Sequence, residues 1–226
     1  MSVLLQIKGI GKRYGHTTIL EDATASFSKN QKIGVVGRNG AGKSTLCKII
    51  TGEEEMDTGT VIKNSELRLS YLEQHDTFLA EETVLEFLTR SSGEEEWRAA
   101  EIAASFQLKN EILDAKIAAL AGGYRTRLKL AAMLLKDPNF LVLDEPSNYL
   151  ELSTLILLEN FLLDFNGGYL IVSHDREFLK RTCDHTLEVE NGRLILYPGN
   201  IEDYFEFKEE QLAQKIAYNK TVEKKK

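Results

Sequence analysis

The stretch GRNGAGKS at residues 37–44 has the residue types and spacing of a phosphate-binding loop, G-x-x-x-x-G-K-[ST]. Its glycines let the backbone curl so that N–H groups face an anion at the positive end of the following helix. In this pattern the lysine reaches the β- and γ-phosphates of a nucleotide and the hydroxyl ligates Mg²⁺. A glycine turn without a ligand is the alternative, which the strand, loop and helix in register disfavour. The candidate nucleotide-binding residues here are Gly37, Arg38, Asn39, Gly40, Ala41, Gly42, Lys43, Ser44 and Thr45.

Two carboxylates follow a fully apolar run in FLVLDEP, residues 140–146. Asp144, at the tip of the predicted strand, is a candidate to hold Mg²⁺ directly or through water. Glu145, one residue on, points elsewhere and is a candidate to polarise the attacking water. The alternative is a pair of acids that only solvate a loop, which is uncommon beside an apolar run in a chain with a phosphate-binding loop.

Three further side chains are weaker candidates when each is taken alone. Gln74 follows the predicted strand LRLSYLE, and its amide could contact Mg²⁺ and the attacking water, although a surface glutamine is the alternative. His174 in VSHD could donate a hydrogen bond to the γ-phosphate, or it could be structural or exposed. Tyr14 could stack on the base of a nucleotide, or simply pack at a strand end.

The elements that must position these groups follow from hydrophobic periodicity. Strand-like runs alternate with helix-like runs, which predicts an α/β fold with a mostly parallel sheet and helices on both faces. Two runs at the start, joined by a turn at residues 14–16, indicate an added antiparallel β subdomain, and residues 53–60 are predicted to be a polar loop. The helical pattern from residue 81 to 136 indicates an inserted helical subdomain, and Asn191-Gly192 predicts a hairpin turn.

Composition limits the classes of function that are open to the chain. Its 226 residues are 42% hydrophobic and 28% charged, which suits a globular protein with a substantial core. The formal net charge of −7 argues against a bulk electrostatic grip on nucleic acid. The N-terminal apolar run of three residues is too short for a signal peptide. No run approaches the roughly 20 apolar residues of a spanning helix, so direct membrane insertion is not predicted. Two cysteines set no disulfide framework, so a reducing, cytoplasmic location is expected.

Taken together, the motifs resemble those of the ATP-binding cassette (ABC) ATPases in order and spacing, over about residues 3–200. The motifs are GRNGAGKS, Gln74, LAGGYRTRL, LVLDEP and SHD. The resemblance implies an ABC-type P-loop NTPase domain at residues 1–200, with its helical subdomain at about 77–136. It also implies hydrolysis of ATP to ADP and phosphate with Mg²⁺. By resemblance, the catalytic residues are Glu145, His174 and Gln74, and the metal-binding residues are Ser44, Gln74 and Asp144.

LAGGYRTRL, residues 120–128, resembles the signature motif of the family, which usually reads L-S-G-G. In that family the signature caps the γ-phosphate held by a second cassette, and the two cassettes pack head to tail. The resemblance therefore implies that Ala121, Gly122 and Gly123 contact ATP bound to a partner cassette, in the same longer chain or in a second copy. Because Ala121 replaces the usual serine, one hydrogen bond to the γ-phosphate is lost, and we expect a weakened site.

The stretch EPSNYLEL, residues 145–152, resembles the E-P-T-N-H-L-D stretch of the ABC-F branch, except at Tyr149 and Glu151. Members of that branch are soluble twin-cassette proteins, many of which act on the ribosome. The charged helical pattern at residues 201–226 resembles the start of the linker between their cassettes, and the alternative is a solvated terminal helix. The resemblance implies that the chain is the first half of a longer protein.

Two other functions compete with a ribosome-associated ATPase. The chain could be the ATPase subunit of an ABC membrane transporter, in which case an apolar groove at residues 78–105 would receive a membrane partner. It could also be a switch in which ATP clamps two cassettes and hydrolysis matters little. Ala121 favours the switch, whereas the intact Glu145 and His174 disfavour it.

Overall fold

The computed structural model describes residues 2–72, 78–79, 81–148 and 150–223, with side chains described as far as residue 214. The strands within these residues are β1 (Val3–Tyr14), β2 (Thr17–Ser28), β3 (Lys32–Val36), β4 (Thr58–Lys63), β5 (Leu69–Leu72), β6 (Phe140–Asp144), β7 (Gly168–Val172), β8 (His185–Glu190) and β9 (Arg193–Tyr197). The α-helices are α1 (Lys43–Thr51), α2 (Val84–Ser92), α3 (Glu96–Ser105), α4 (Gly122–Leu135), α5 (Leu152–Asp164), α6 (Arg176–Thr182) and α7 (Ile201–Glu223).

A six-stranded sheet in the order β5-β6-β7-β3-β8-β9 forms the centre of the molecule. Its strands pair in parallel except for the antiparallel hairpin β8-β9, which confirms the predicted α/β fold with a mostly parallel sheet. Every residue of β6 and β7 is buried, as expected for parallel strands that are covered on both faces. Because β6, β7 and β3 are adjacent and parallel, the loops that follow them meet at one edge of the sheet.

The two faces of this sheet belong to two separate apolar clusters. In β6, Leu141 and Leu143 pack with helices of one cluster, whereas Phe140 and Val142 pack in the other, as the two-residue period of a strand requires. The second cluster also contains apolar residues of β1, β2 and α1. The central sheet therefore holds α1, which begins at the end of the phosphate-binding loop, between itself and the antiparallel sheet.

The antiparallel sheet has the order β2-β1-β4. The predicted turn at residues 14–16 joins β1 and β2 as expected. The prediction of a polar loop at residues 53–60 was wrong at its end, because β4 begins at Thr58 and pairs with β1. Nearly all of β4 is exposed, so it lacks the alternating apolar pattern from which a half-buried strand is predicted.

The predicted helical stretch from residue 81 to 136 contains α2, α3 and α4, which pack against one another. The helical stretch is interrupted after α3, which ends at Ser105. Gln107 has a positive φ of 61°, which an α-helix does not allow, and Leu108 turns into the core. Between α3 and α4 the chain has short 3₁₀ turns at Asn110–Ile112 and Ile117–Ala119.

Two predicted features at the carboxyl end are also present. Asn191 and Gly192 have φ values of 51° and 76°, as in the two-residue turns that match the twist of a hairpin. The described part of the charged tail lies in α7, whose first turn buries Ile201 and Tyr204. In the part of the chain that the structure describes, no helix combines the length and the apolar character needed to cross a bilayer.

The antiparallel sheet touches the phosphate-binding loop at Gly42. This residue has a φ of 106°, and a β-carbon on it would lie 2.7 Å from Cγ2 of Ile19 in β2. Gly42 is therefore required both for its backbone conformation and for the close approach of β2.

We predict that Gly42→Ala lowers the free energy of unfolding more than Gly93→Ala does. Both residues have a positive φ (106° and 74°), so both alanines carry a backbone cost of roughly 1–2 kcal/mol. Only Gly42 adds a steric clash, because no heavy atom lies within 4 Å of a β-carbon at Gly93. Urea unfolding followed by circular dichroism measures the difference, and equal losses would contradict the packing argument.

Candidate functional site

The phosphate-binding loop connects β3 to α1 and is shaped by its glycines. A β-carbon on Gly37 would lie 2.6 Å from the carbonyl oxygen of Val189, so the loop runs directly against β8. The N–H of Ala41 donates to the carbonyl of Arg38 at 3.0 Å, which closes the curl. Among the described residues, no heavy atom lies within 4 Å of a β-carbon placed on Gly40, so the loop is uncovered at this residue.

Lys43, the first residue of α1, arches back over this loop. Its Nζ donates to the carbonyl oxygens of Gly37 at 3.0 Å and Arg38 at 3.2 Å, and the residue is buried. Ser44 is exposed and Thr45 is half-buried beside it. The loop therefore presents a cation, a hydroxyl and the N-terminal end of α1 to the same region, which is the combination that binds phosphate groups.

Asp144 and Glu145 lie at the end of β6 and occupy different environments. Asp144 is buried, and burial together with the Asp144 carboxylate raises the pKa of Cys47 in α1, which places Asp144 close to that helix. Glu145 has a positive φ of 52°, and its N–H donates to the carbonyl of Val172 at 2.8 Å. The backbone turn at Glu145 therefore separates the directions of the two carboxylates.

Glu145 and His174 are in direct contact. Nε2 of His174 lies 3.2 Å from Oε1 of Glu145. Burial raises the pKa of Glu145 above its ordinary value, and nearby Asp144 adds to that effect, whereas His174 and Lys43 oppose it. A partly buried carboxylate with a raised pKa is suited to accept a proton from a water molecule.

The loop after β7 fixes the position of His174. The hydroxyls of Ser147 and Ser173 lie 3.0 Å apart, and Ser173 Oγ accepts a hydrogen bond from the N–H of Asp175 at 3.1 Å. Asp175 in turn caps α6 by accepting from the N–H of Phe178 at 3.0 Å. His174 itself is exposed, so its ring is accessible from outside the chain.

A Mg²⁺ ion fits this donor set. Within the described residues there is no cluster of three or more His, Cys, Asp or Glu that could enclose a metal ion. Mg²⁺ commonly takes only one or two protein oxygens and fills its other positions with water and phosphate oxygens. The Ser44 hydroxyl and the Asp144 carboxylate are hard oxygen donors of this kind. Gln74, the third predicted metal ligand, lies outside the described residues.

The signature residues lie apart from this site. Ala121 is the N-cap of α4, and Gly122 and Gly123 form its first turn. A cavity of about 310 Å³ adjoins Gly37 and Lys43, and α4 contributes none of its lining. Ala121 and Gly122 are exposed, and a β-carbon on Gly122 would meet open space. The N-terminal end of α4 therefore points outward with no capping side chain, because Ala121 supplies none.

Tyr14 is the last residue of β1 and 47% of its surface is exposed. The β1–β2 hairpin that contains Tyr14 also contacts the phosphate-binding loop, where Ile19 lies against Gly42. An aromatic ring at this end of the hairpin can therefore meet the part of a nucleotide that extends away from the phosphates.

Two buried, positively charged side chains were not singled out from the sequence. Arg127 in α4 is buried and donates to Thr154 at 3.1 Å, Ser153 at 3.2 Å and Gln107 at 2.9 Å. It links the signature helix to the start of α5. The sequence signal that could have identified Arg127 is a charged residue inside the apolar pattern of a helix. Lys12 is also buried, next to Tyr14.

Comparisons with known proteins agree with this geometry. The family model described as ABC transporter matches residues 20–148. The chain is 38% identical over 208 residues to the ATP-binding protein Uup of Caulobacter vibrioides, covering 88% of this chain and 34% of that protein. It is 35% identical over 216 residues to the energy-dependent translational throttle protein EttA of Escherichia coli strain K12, covering 92% and 39%. The chain thus spans little more than a third of the length of these relatives.

Solved structures give the same fold. A nucleotide-free ATP-binding cassette from an ABC transporter has a TM-score of 0.76 and 25% identity, covering 87% of this chain and 92% of that one. The ATP-binding subunit of another ABC transporter has a TM-score of 0.76 and 23% identity, covering 88% and 91%. The second identity is low enough that this likeness concerns the fold alone.

We predict that Glu145→Gln stabilises the protein at about pH 8 and that the gain shrinks towards about pH 4. Because burial raises the pKa of Glu145, the folded state favours its neutral form. The contribution of this group to stability is present below its ordinary pKa and is lost as the pH rises through the raised pKa. Glutamine stays neutral and keeps the contribution.

Urea unfolding at the two pH values measures this effect. Glu101→Gln, on the exposed surface of α3, is the matched control and should change little at either pH. A loss of stability in Glu145→Gln at both pH values would show that the burial of its charge is not the dominant cost.

Proposed function

The chain belongs to the ABC transporter family and is an ATPase cassette, and from this premise we propose that it works as one half of a head-to-tail pair. Its resemblance to the ABC-F branch is confirmed, because Uup and EttA are ABC-F proteins. The proposed pair closes around two Mg-ATP molecules, each held by the phosphate-binding loop of one cassette and capped by the signature of the other. The second cassette lies in the same longer chain or in a second copy.

The observation that carries the pairing is the position of the signature. The N-terminal end of α4 is exposed and contributes nothing to the cavity beside the phosphate-binding loop. A helix N-terminus attracts negative charge, and Gly122 leaves room for a phosphate group to approach the backbone closely. A ligand at this end of α4 is therefore supplied by another cassette.

In the proposed reaction, each residue of the phosphate site has a defined task. Lys43 and the N–H groups of the phosphate-binding loop hold phosphate oxygens. When bound by Ser44, Asp144 and Gln74, Mg²⁺ neutralises part of the phosphate charge. Glu145 orients the attacking water and accepts its proton, and His174 donates a hydrogen bond towards the γ-phosphate.

We further propose that the paired cassettes act on the ribosome during translation. The support is the similarity to EttA, whose name describes an energy-dependent translational throttle. The proposed organisation is an ATPase domain at residues 1–200, its helical subdomain at about 77–136, and the start of a linker between cassettes at 201–226. A cytoplasmic location follows from action on the ribosome.

The alternative is an ATPase subunit of a membrane transporter, which the likeness to transporter cassettes supports. That function needs an apolar groove near residues 78–105 to receive a membrane partner. However, Val84 and Leu88 are buried in the core, and the ring of Phe78 packs on Phe87 with centroids 4.7 Å apart. The apolar residues that were candidates for a groove are therefore used largely for internal packing, which favours the ribosomal proposal.

A ribosome-pelleting assay with the full gene product tests the proposal. We expect Glu145→Gln to reduce ATP turnover by about a hundredfold or more, because the proton acceptor is lost while the phosphate site remains. The closed ATP-bound pair then accumulates, and the variant should sediment with ribosomes in Mg-ATP but not in ADP.

Adding Lys43→Ala to that variant provides the control, because weakened phosphate binding should abolish sedimentation in Mg-ATP. If Glu145→Gln sediments in neither nucleotide although it binds ATP, the ribosomal function is wrong and the transporter alternative gains support.

Ala121→Ser tests the signature. A serine hydroxyl at this N-cap adds a hydrogen bond to the γ-phosphate of the partner site, and such a bond to a charged group contributes roughly 1.5–3 kcal/mol. We expect ATP turnover of the paired cassettes to rise several-fold.

The same substitution also caps α4 and should raise the free energy of unfolding by about 1 kcal/mol, whether or not ATP is bound. Ala119→Ser, exposed just before the signature, is the matched control for turnover. A gain in stability without a gain in turnover would mean that the hydroxyl only caps the helix and that the missing serine does not limit the site.

A further inference from the structure

The half-exposed ring of Tyr14 has a charged neighbour. Nζ of Lys12 lies over this ring, 5.2 Å from its centroid. A hydrogen bond with Lys12 is the largest cause that lowers the pKa of Glu54, and a hydrogen bond with Tyr14 contributes to the same shift. Tyr14 is therefore contacted at one face by an ammonium group, and that ammonium group is bound by the Glu54 carboxylate.

Lys12 is itself firmly placed. It is only 8% exposed, and its Nζ lies 2.6 Å from Oε1 of Glu54 and donates to the carbonyl of Glu55 at 2.6 Å. Asp57 lies 4.0 Å from the same Nζ and accepts from the N–H of Arg13 at 2.7 Å. A lysine with this many partners has little freedom to leave the ring of Tyr14.

The partners of Lys12 belong to the chain that leaves α1. Gly52 ends α1, and the N–H of Glu54 still donates to the carbonyl of Lys48 in its last turn at 3.2 Å. The N-terminal end of the same helix begins at the phosphate-binding loop. One short helix therefore connects the loop that holds phosphates to the carboxylate that anchors Lys12.

We infer that Lys12, anchored by Glu54, is a positioning residue for the nucleotide base: it covers one face of Tyr14 and leaves the opposite face to stack on the base. The inference rests on the proposed nucleotide site and extends it to a residue that need not touch the nucleotide. A cation on one face of an aromatic ring is attracted by its π electrons, which fixes the plane of the ring. A ring fixed in advance loses less conformational entropy when it stacks.

This role predicts an effect on the base but not on the phosphates. ATP has both parts, whereas inorganic tripolyphosphate has only the phosphates. The test is isothermal titration calorimetry of both ligands with Mg²⁺ on the 226-residue chain. In Lys12→Met the apolar stem is kept and the charge removed, and we expect the Kd for ATP to rise about three- to fivefold with no change for tripolyphosphate.

Four variants accompany Lys12→Met. Lys8→Met, on the exposed side of the same strand, is the matched control and should bind both ligands normally. Lys12→Arg keeps a cation over the ring and should retain more ATP affinity than Lys12→Met. Glu54→Gln loosens the anchor without removing the lysine, and serves if Lys12→Met does not fold. Tyr14→Ala tests the stacking itself.

The outcomes separate the inference from the proposed site. Weaker ATP binding with unchanged tripolyphosphate binding in both Tyr14→Ala and Lys12→Met supports the inference. The same result in Tyr14→Ala alone keeps the stacking role and overturns the role of Lys12. If Lys12→Met and Glu54→Gln weaken both ligands equally, Lys12 only supports the fold. If Tyr14→Ala changes neither ligand, the base does not stack there, and both the role of Tyr14 and the inference fall.

Discussion

The parallel pairing of β6, β7 and β3 is the constraint on which the whole candidate site depends. Val172 in β7 is opposite both Asp144 in β6 and Val35 in β3, so the three strands end at nearly the same level. The acidic pair lies at the end of β6, the loop with His174 follows β7, and the phosphate-binding loop follows β3. A slip of one residue in β6 would turn Asp144 to the other face of the sheet, where α1 does not lie. The alternating packing of β6 and β7 in two apolar clusters opposes such a slip.

Two local features at this edge of the sheet are energetically unfavourable, and both belong to Glu145. Glu145 adopts a left-handed backbone conformation with a φ of 52°, and such strain costs roughly 1–3 kcal/mol in a residue with a side chain. Its carboxylate is also partly buried, which raises its pKa. The carboxylate with these two features lies beside His174, next to the end of β6. The surrounding strands and the N–H contact with Val172 hold this conformation in place.

The sequence predicted the parts of the molecule in which local chemistry and apolar burial point to the same answer. The strand that ends at Asp144 and the helix that follows the phosphate-binding loop are present as predicted, because a continuous apolar run and a glycine turn mark them. Strand β4 was missed because its pairing with β1 leaves its side chains exposed. The hydrogen bonds of Arg127, and those that anchor Lys12 to Glu54 and Glu55, join residues that are 20 or more positions apart. Such partners depend on how the elements pack, and residue types at short spacing contain no information about them.

In the proposed pair, the signature at the start of α4 faces the nucleotide of the partner cassette, whereas Glu145 faces the nucleotide bound by this chain. Arg127 fastens the helix that begins with the signature to Thr154 and Ser153 in α5. The segment that leads into α5 starts at Glu145, which in the proposed reaction serves the nucleotide bound by this chain. If the partner's nucleotide displaced the signature, the charge-assisted hydrogen bonds of Arg127 would either hold α4 in place or move the segment that follows Glu145 with it. Because the bond to Thr154 is buried, breaking it would leave part of a buried guanidinium without that partner, which is unfavourable. The signature and the segment after Glu145 are thus more easily moved together than apart, which in the proposed pair would couple the two ATP sites.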